Sequence, residues 1–125
     1  MFKIQFYSTE DGKEPVAEFI DSLYVKMAAK LVGLMDVLEE KGTELRLPYS
    51  EYLEDGIFEL RCRQGSNITR VLYFFYIDKT IVVTNGLVKK TQKTPPKVIK
   101  LAKKRRADWL RRYAEKEVKN DPERV

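Results

Sequence analysis

The sequence predicts an α+β fold in which helices pack on a small, mainly antiparallel sheet. Three observations predict it: period-two alternation at the N-terminus, helical periodicity in residues 15–41, and three strand-like runs within residues 56–93. A long basic helix follows these strands. At 125 residues the chain has the length of one ordinary domain. We therefore expect a single domain over residues 1–117 and a polar tail over residues 118–125.

The N-terminal part contains one strand and two helices. Residues 2–7 alternate apolar and polar side chains, as in a half-buried strand. Pro15 suits the first turn of a helix, and the apolar residues after it recur at helical spacing. A second helical pattern ends before Gly42, which favours a helical hairpin packed on the sheet. Residues 43–55 show no clean period and predict a connecting loop.

The three later runs predict an antiparallel meander. In the first run, Phe58, Leu60 and Cys62 alternate with polar residues, which predicts one buried and one polar face. Residues 68–77 and 80–88 are rich in β-branched and aromatic side chains, as expected of central strands. The dipeptides Gly65-Ser66 and Asp78-Lys79 supply the two turns.

These turns fix a register. A loop at Gly65-Ser66 places Arg61 directly opposite Arg70, and a loop at Asp78-Lys79 places Leu87 beside Arg70. Because side chains alternate between faces, one face carries the polar residues and the other carries the core. The predicted polar face contains Arg61, Arg70, Asn85, Leu87 and, if the strand continues, Lys89.

Two arginines opposed across a ladder repel each other, at a cost of roughly several tenths of a kcal/mol. One interpretation is structural: Glu59, diagonal to Arg70, forms a surface salt bridge that neutralises part of the cluster. The other is functional: the arginines form an oxyanion or phosphate site, because a guanidinium donates two hydrogen bonds and stays charged.

The positive charge is concentrated in one segment. The net charge is +5, yet residues 1–88 hold 10 Lys and Arg against 14 Asp and Glu, whereas residues 89–112 hold 11 against Asp108 alone. This distribution favours a polyanionic partner such as RNA, although a solvated helix face is the common alternative. Within the long helix, Trp109 is interpreted as an anchor that packs on the body of the domain.

The residue inventory excludes several kinds of chemistry. The chain has one cysteine, Cys62, and no histidine, which excludes an internal disulfide, a Cys-rich zinc site and histidine acid–base catalysis. We expect no metal and no cofactor. The N-terminus has no long apolar run of the kind a signal peptide or membrane helix needs, so a cytoplasmic protein is expected.

Four motifs in order carry a family resemblance. They are PVAEFIDSL (15–23), DGIFELR (55–61), RVLYFF (70–75) and GLVKKTQKTP (86–95), followed by a helix rich in Ala, Lys and Arg. In this order they resemble the phage-related HigB-like branch of the RelE/ParE toxin superfamily. The resemblance covers roughly residues 2–113 and implies a RelE-like fold.

The resemblance also implies a function. It suggests the toxin of a type II toxin–antitoxin pair, an mRNA interferase that cleaves mRNA on the ribosome and so inhibits translation. The implied partner is a helix-turn-helix, HigA-like antitoxin, through which alone the toxin would reach operator DNA, and no membrane is involved. The positions that match the family's basic site are Arg61, Arg70, Lys89 and Lys90.

For the reaction, the expected mechanism is metal-independent attack of the RNA 2′-hydroxyl on the adjacent phosphate. Arg61 and Arg70 are expected to hold the phosphate, and Lys89, Lys90 or Glu59 to transfer protons. Further RNA contacts are assigned to exposed cations, namely Arg63, Lys93, Lys97, Lys100 and Lys104. Two alternatives stay open: a ParE-like poison of DNA gyrase without nuclease activity, and a nucleic-acid-binding module without catalysis.

Overall fold

The computed structural model describes residues 1–89 and 93–119. The strands are Lys3–Phe6 (β1), Ser50–Glu54 (β2), Ile57–Gln64 (β3), Asn67–Tyr76 (β4) and Thr80–Lys89 (β5). The α-helices are Pro15–Asp21 (α1), Val25–Lys41 (α2) and Pro96–Lys119 (α3), and a short 3-10 helix covers Gly42–Glu44. The candidate site residue Lys90 and positions 120–125 of the expected tail lie outside the described residues. Residues 118 and 119 belong to α3 rather than to a tail.

The strands form one sheet with the order β1-β5-β4-β3-β2. Strand β1 runs parallel to β5, and every other neighbouring pair is antiparallel. The α+β fold predicted from the sequence is confirmed: an N-terminal strand and two helices precede an antiparallel meander and a long C-terminal helix.

Strand β2 corrects the loop expected over residues 43–55. It pairs with β3 through the turn Asp55-Gly56, where φ is +48° and +77°. Asp-Gly is a favoured dipeptide for a tight hairpin, because both of its residues accept the left-handed conformation. The local sequence lacks a strand-like alternation, so pairing with β3 rather than intrinsic preference produces this strand.

The hairpin between β4 and β5 reaches its predicted register by an unexpected route. Tyr76 pairs with Thr80, so the turn contains three residues instead of two. A β-bulge follows, at which Thr84 is the extra residue of β5, and from Leu72 opposite Asn85 onward the pairing is as predicted. The longer turn and the bulge each shift the register by one residue, and the two shifts cancel.

Helices α1 and α2 cover one face of the sheet. The core on this side includes Leu31 and Leu38 of α2 and an apolar set from the meander that contains Leu60, Val71 and Tyr73. This is the apolar face that the register predicts. The two aromatic residues Phe58 and Phe75 pack at its margin.

Helix α3 covers the opposite face. Ala102 and Trp109 pack over Leu72 and Phe74, and the Trp109 ring lies with its centroid 5.8 Å from that of Phe74 and 5.0 Å from that of Tyr76. Trp109 is therefore the anchor that the sequence predicts. The expected polar face of the meander is itself largely buried, because the long helix docks on it. In the described part of the chain, no helix is long and apolar enough to span a membrane.

Candidate functional site

The predicted ladder of arginines is present. Arg61 on β3 lies opposite Arg70 on β4, and Arg70 in turn lies opposite Leu87 on β5. Both arginines belong to the sheet face that α3 covers. Their surroundings differ, because the N-terminal end of α3 and the residues before it lie over Arg70.

Arg70, Glu59 and Thr94 form a buried arginine cluster. Arg70 is 0% exposed and Glu59 is 1% exposed. Arg70 Nη1 donates a hydrogen bond to Thr94 Oγ1 at 2.9 Å, and the Thr94 hydroxyl donates to Glu59 Oε1. Arg70 Nε lies 3.8 Å from the same carboxylate oxygen. The diagonal ion pair considered from the sequence does form, but in the interior rather than at the surface.

The burial of this cluster shifts its titration. Burial raises the pKa of the Glu59 carboxyl, and this effect exceeds the opposing effects of the Thr94 hydroxyl, Arg70 and Arg61. Burial also lowers the pKa of the Arg70 guanidinium, an effect that Glu59 opposes. A charged guanidinium removed from water needs such partners, because an uncompensated buried charge is very costly.

Arg61 connects the buried arginine cluster to the surface. Its side chain is 12% exposed, and Nη1 lies 2.6 Å from Glu51 Oε2 and 3.6 Å from Glu59 Oε2. Glu51, on β2, is 39% exposed. Alternating charges therefore run from Arg70 in the interior, through Glu59 and Arg61, to a carboxylate that is open to solvent.

Beside Arg61 lies a cleft of about 920 Å³, which we call the sheet-edge cleft. It separates α2 from the edge of β3 and receives side chains from the loop before β2. Its charged lining comprises Lys30, Glu51, Arg61, Arg63 and Lys93. Its uncharged lining comprises Gly33, Leu34, Val37, Leu47, Pro48, Tyr49, Cys62 and Ile68. Four cations and one carboxylate thus surround an otherwise mainly apolar space.

The cleft exists because β2 is shorter than β3. The backbone N–H of Arg61 still donates to the Tyr49 carbonyl at 2.7 Å, but beyond this point no described strand pairs with the edge of β3. Instead, Lys30 Nζ of α2 donates to the Arg63 carbonyl at 2.6 Å. The Lys30 ammonium thereby occupies a carbonyl at the edge of β3 to which a further strand could otherwise pair.

A comparison with known families matches residues 18–107 to a model described as Phage derived protein Gp49-like (DUF891). The chain belongs to this family. The match includes all five charged residues of the sheet-edge cleft and the whole buried arginine cluster. Membership of the Gp49-like family suggests a toxin-like role and specifies neither a nuclease activity nor a partner. No curated protein matches the chain.

In this Gp49-like chain the described site residues that the sequence predicted fall into four groups. Arg61, Arg63 and Lys93 line the sheet-edge cleft, whereas Arg70 and Glu59 are buried. Lys89 lies exposed at the end of β5, opposite Ile68. The remaining described candidates are exposed on α3, and these are Lys97, Lys100 and Lys104.

The three exposed lysines form a stripe on α3, because their spacing of three and four residues returns to one side of a helix. Neighbouring cations on the helix are paired. Lys103 Nζ lies 2.6 Å from Glu54 Oε2, and Arg106 Nη2 lies 2.9 Å from Asp55 Oδ2. These ion pairs attach α3 to the turn between β2 and β3, and they leave the stripe as the outward-facing charge.

Sequence reasoning missed two charged residues of the cleft, Lys30 and Glu51, and it favoured a core-covering role over base stacking for Tyr49. Lys30 lies on a helix far from β3 in the chain, and Tyr49 and Glu51 lie in the segment expected to be a loop. The Asp55-Gly56 turn was the one signal that could have placed Glu51 beside β3. In the described residues, no group of three or more His, Cys, Asp or Glu side chains could hold a metal ion.

Proposed function

We propose that this chain is the toxin of a type II toxin–antitoxin pair and cleaves mRNA on the ribosome without a metal, until a cognate helix-turn-helix antitoxin neutralises it. The observation that carries the proposal is the sheet-edge cleft, where Arg61, Arg63 and Lys93 converge beside a carboxylate. The order of the four sequence motifs and membership of the Gp49-like family support the toxin role.

RNA carries its own nucleophile, so the protein has three tasks: to orient the 2′-hydroxyl, to stabilise the charge that develops on the phosphate, and to assist proton transfer. We assign phosphate binding to Arg63 and Lys93, which are exposed in the cleft, and to Arg61 at its inner wall. A donor that is held in place for the transition state contributes about 3–4 kcal/mol in favourable cases.

Glu51 is our candidate proton acceptor. Glu59, the carboxylate singled out from the sequence, is 1% exposed and hydrogen-bonded within the buried arginine cluster. Glu51 lines the cleft, is 39% exposed and is oriented by Arg61 at 2.6 Å. A general base must reach the proton that it removes, so access favours Glu51. Proton transfer by Lys89 stays a prediction.

The test is primer extension on mRNA from cells that express the chain. We expect cuts at codon-related positions with the wild type, and at least a tenfold loss of cutting with Arg63→Ala, because one charge-assisted hydrogen bond to phosphate contributes about 1.5–3 kcal/mol. Glu51→Gln should also lose cutting while keeping RNA binding.

A matched pair on α2 provides the control. Lys30 lines the cleft and Lys26, one helical turn earlier, does not, yet both are exposed. Lys30→Ala should reduce cutting and Lys26→Ala should not. DNA breaks that depend on gyrase, in the absence of mRNA cuts, would replace the proposal with the ParE-like alternative. Growth arrest without either product would also contradict it.

A further inference from the structure

We infer that the apolar wall of the sheet-edge cleft binds one unstacked nucleobase of the RNA, beside the phosphate held by the arginines. The inference rests on the proposed function for the identity of the ligand as RNA. The inference adds to the proposed function a subsite that binds the base and a residue, Tyr49, that stacks on the base.

The lining of the cleft is largely divided into a cationic side and an apolar side. Three of the four cations come from β3 and from Lys93 in the segment before α3, whereas the apolar side chains come mainly from α2 and from the loop before β2. The fourth cation, Lys30, lies on α2, and its ammonium is directed to the Arg63 carbonyl of β3. Three large apolar residues of this wall are notably exposed: Val37 at 37%, Leu47 at 62% and Tyr49 at 52%. Apolar surface gathered in one concave place marks a binding site.

Size supports a nucleotide rather than a bare anion. A cleft of about 920 Å³ is at the upper end of the range of roughly 300–1,000 Å³ found for small-molecule sites. A phosphate alone would occupy the cationic side and leave Leu47 and Val37 in water. A nucleotide brings a planar apolar group and an anion on one molecule, and the two sides of the cleft match these two parts.

Two hydrogen bonds fix the backbone of Tyr49 at the mouth of β2 and β3. Its backbone N–H donates to the Arg46 carbonyl at 3.0 Å, and its carbonyl accepts from the N–H of Arg61 at 2.7 Å. The hydrogen bond to Arg61 ties the base-stacking residue directly to the strand that carries the phosphate ligands. Stacking on an aromatic side chain is the common way in which proteins bind single-stranded RNA bases.

The charge of the cleft selects RNA over an acidic peptide. Arg63, exposed in the cleft, has no hydrogen-bond or ion-pair partner for its guanidinium among the described residues, and it can bind a phosphate with both arms. The carboxylate Glu51 lies 2.6 Å from Arg61 within the same cleft and would repel a run of acidic side chains. A single phosphate beside one base meets this mixed charge better.

The experiment compares two RNA trinucleotides of equal charge, one with a base at the central position and one abasic there. Binding to the full chain is measured by fluorescence anisotropy for the wild type, Tyr49→Ala and Tyr49→Phe. We expect Tyr49→Ala to weaken binding of the base-bearing RNA about tenfold, since stacking contributes roughly 1–3 kcal/mol per base. Binding of the abasic RNA should not change, and Tyr49→Phe should bind like the wild type.

Tyr24→Ala is the matched control, because Tyr24 is 90% exposed and lies outside the cleft. Equal binding of the two trinucleotides by the wild type overturns the inference. An equal loss of affinity for the two trinucleotides in Tyr49→Ala also overturns it. The inference is likewise wrong if an acidic peptide displaces both trinucleotides and excess mononucleotide displaces neither. If the chain binds RNA in a base-dependent way but cuts no mRNA, the inference is supported and the proposed function is wrong. If Tyr49→Ala cuts mRNA with the base preference of the wild type, the proposed function is supported and the inference is wrong.

Discussion

Arg63 and Arg70 carry the same charge and lie on neighbouring strands joined by one tight turn, yet one is exposed and the other is fully buried. Arg70 lies beneath the N-terminal end of α3, where it donates a hydrogen bond to Thr94 and forms an ion pair with Glu59. Arg63 lies beyond the end of β2, where α2 and β3 separate into the sheet-edge cleft.

Arginines that look alike in the sequence have different tasks, because their surroundings differ. A buried guanidinium has already lost its water and is matched to protein partners, so an incoming phosphate would have to replace them. An exposed guanidinium in a cleft meets a phosphate without that cost. The buried arginine cluster therefore holds α3 on the sheet, and the cleft is the site that we propose for the ligand.

The largest effect should follow from Arg70→Ala. The change leaves the Glu59 carboxylate buried without its main cation, which typically costs about 3–5 kcal/mol in the free energy of unfolding. Urea unfolding followed by circular dichroism measures the loss. Arg63→Ala, on the exposed side of the comparison, should stay within about 0.5 kcal/mol of the wild type. A well-folded Arg70→Ala protein of wild-type stability would show that the cluster has no structural task.

The sequence predicted the positions of these residues better than their surroundings. One turn, Gly65-Ser66, was enough to place Arg61 opposite Arg70, because register in a hairpin is a local property. The burial of Arg70 cannot be predicted from the neighbouring sequence, because it depends on which sheet face α3 covers. Helix periodicity predicts the apolar stripe of a helix but not the surface on which that stripe packs. The sheet-edge cleft depends on where the pairing of β2 with β3 stops, and the one local signal for β2, the Asp55-Gly56 turn, does not set the length of that strand.

A smaller effect should follow from Thr94→Val, and it should depend on pH. The Thr94 hydroxyl donates to Glu59 and thereby opposes the rise in the carboxyl pKa that burial causes. Its removal should cost about 1.5–3 kcal/mol when Glu59 is ionised, because the ionised form loses a charge-assisted hydrogen bond. In the variant the pKa of Glu59 rises further. The difference in the free energy of unfolding between variant and wild type should therefore be largest at a pH above the Glu59 pKa of both proteins.

The same difference should shrink as the pH falls through the raised pKa of Glu59. Because this pKa is raised, the decrease should begin at a higher pH than for an ordinary glutamate. Urea unfolding at a series of pH values checks this. Thr69→Val is the control, since the buried Thr69 hydroxyl has no hydrogen-bond partner among the described residues. It should cost nothing at any pH, and an equal pH dependence in both variants would remove Glu59 as the cause.

The smallest effect should come from the lysine stripe on α3, which lies outside both regions. If Lys97, Lys100 and Lys104 contact ribosomal RNA only through phosphates, each change to Gln should lower the slope of log affinity against log salt by about 0.7–1. Ribosome binding measured over a range of KCl concentrations gives these slopes. The pattern of mRNA cuts should not change, because the stripe takes no part in the chemistry assigned to the cleft.

Lys103→Gln distinguishes contact from bulk charge. Lys103 carries the same charge on the same helix, but its ammonium lies 2.6 Å from the Glu54 carboxylate. A phosphate that binds there must displace this partner, so Lys103→Gln should change the slope less than any stripe lysine. If all four substitutions change it equally, only the net charge of α3 matters. The exact position of a charge would then matter in the buried arginine cluster and the sheet-edge cleft, but not on α3.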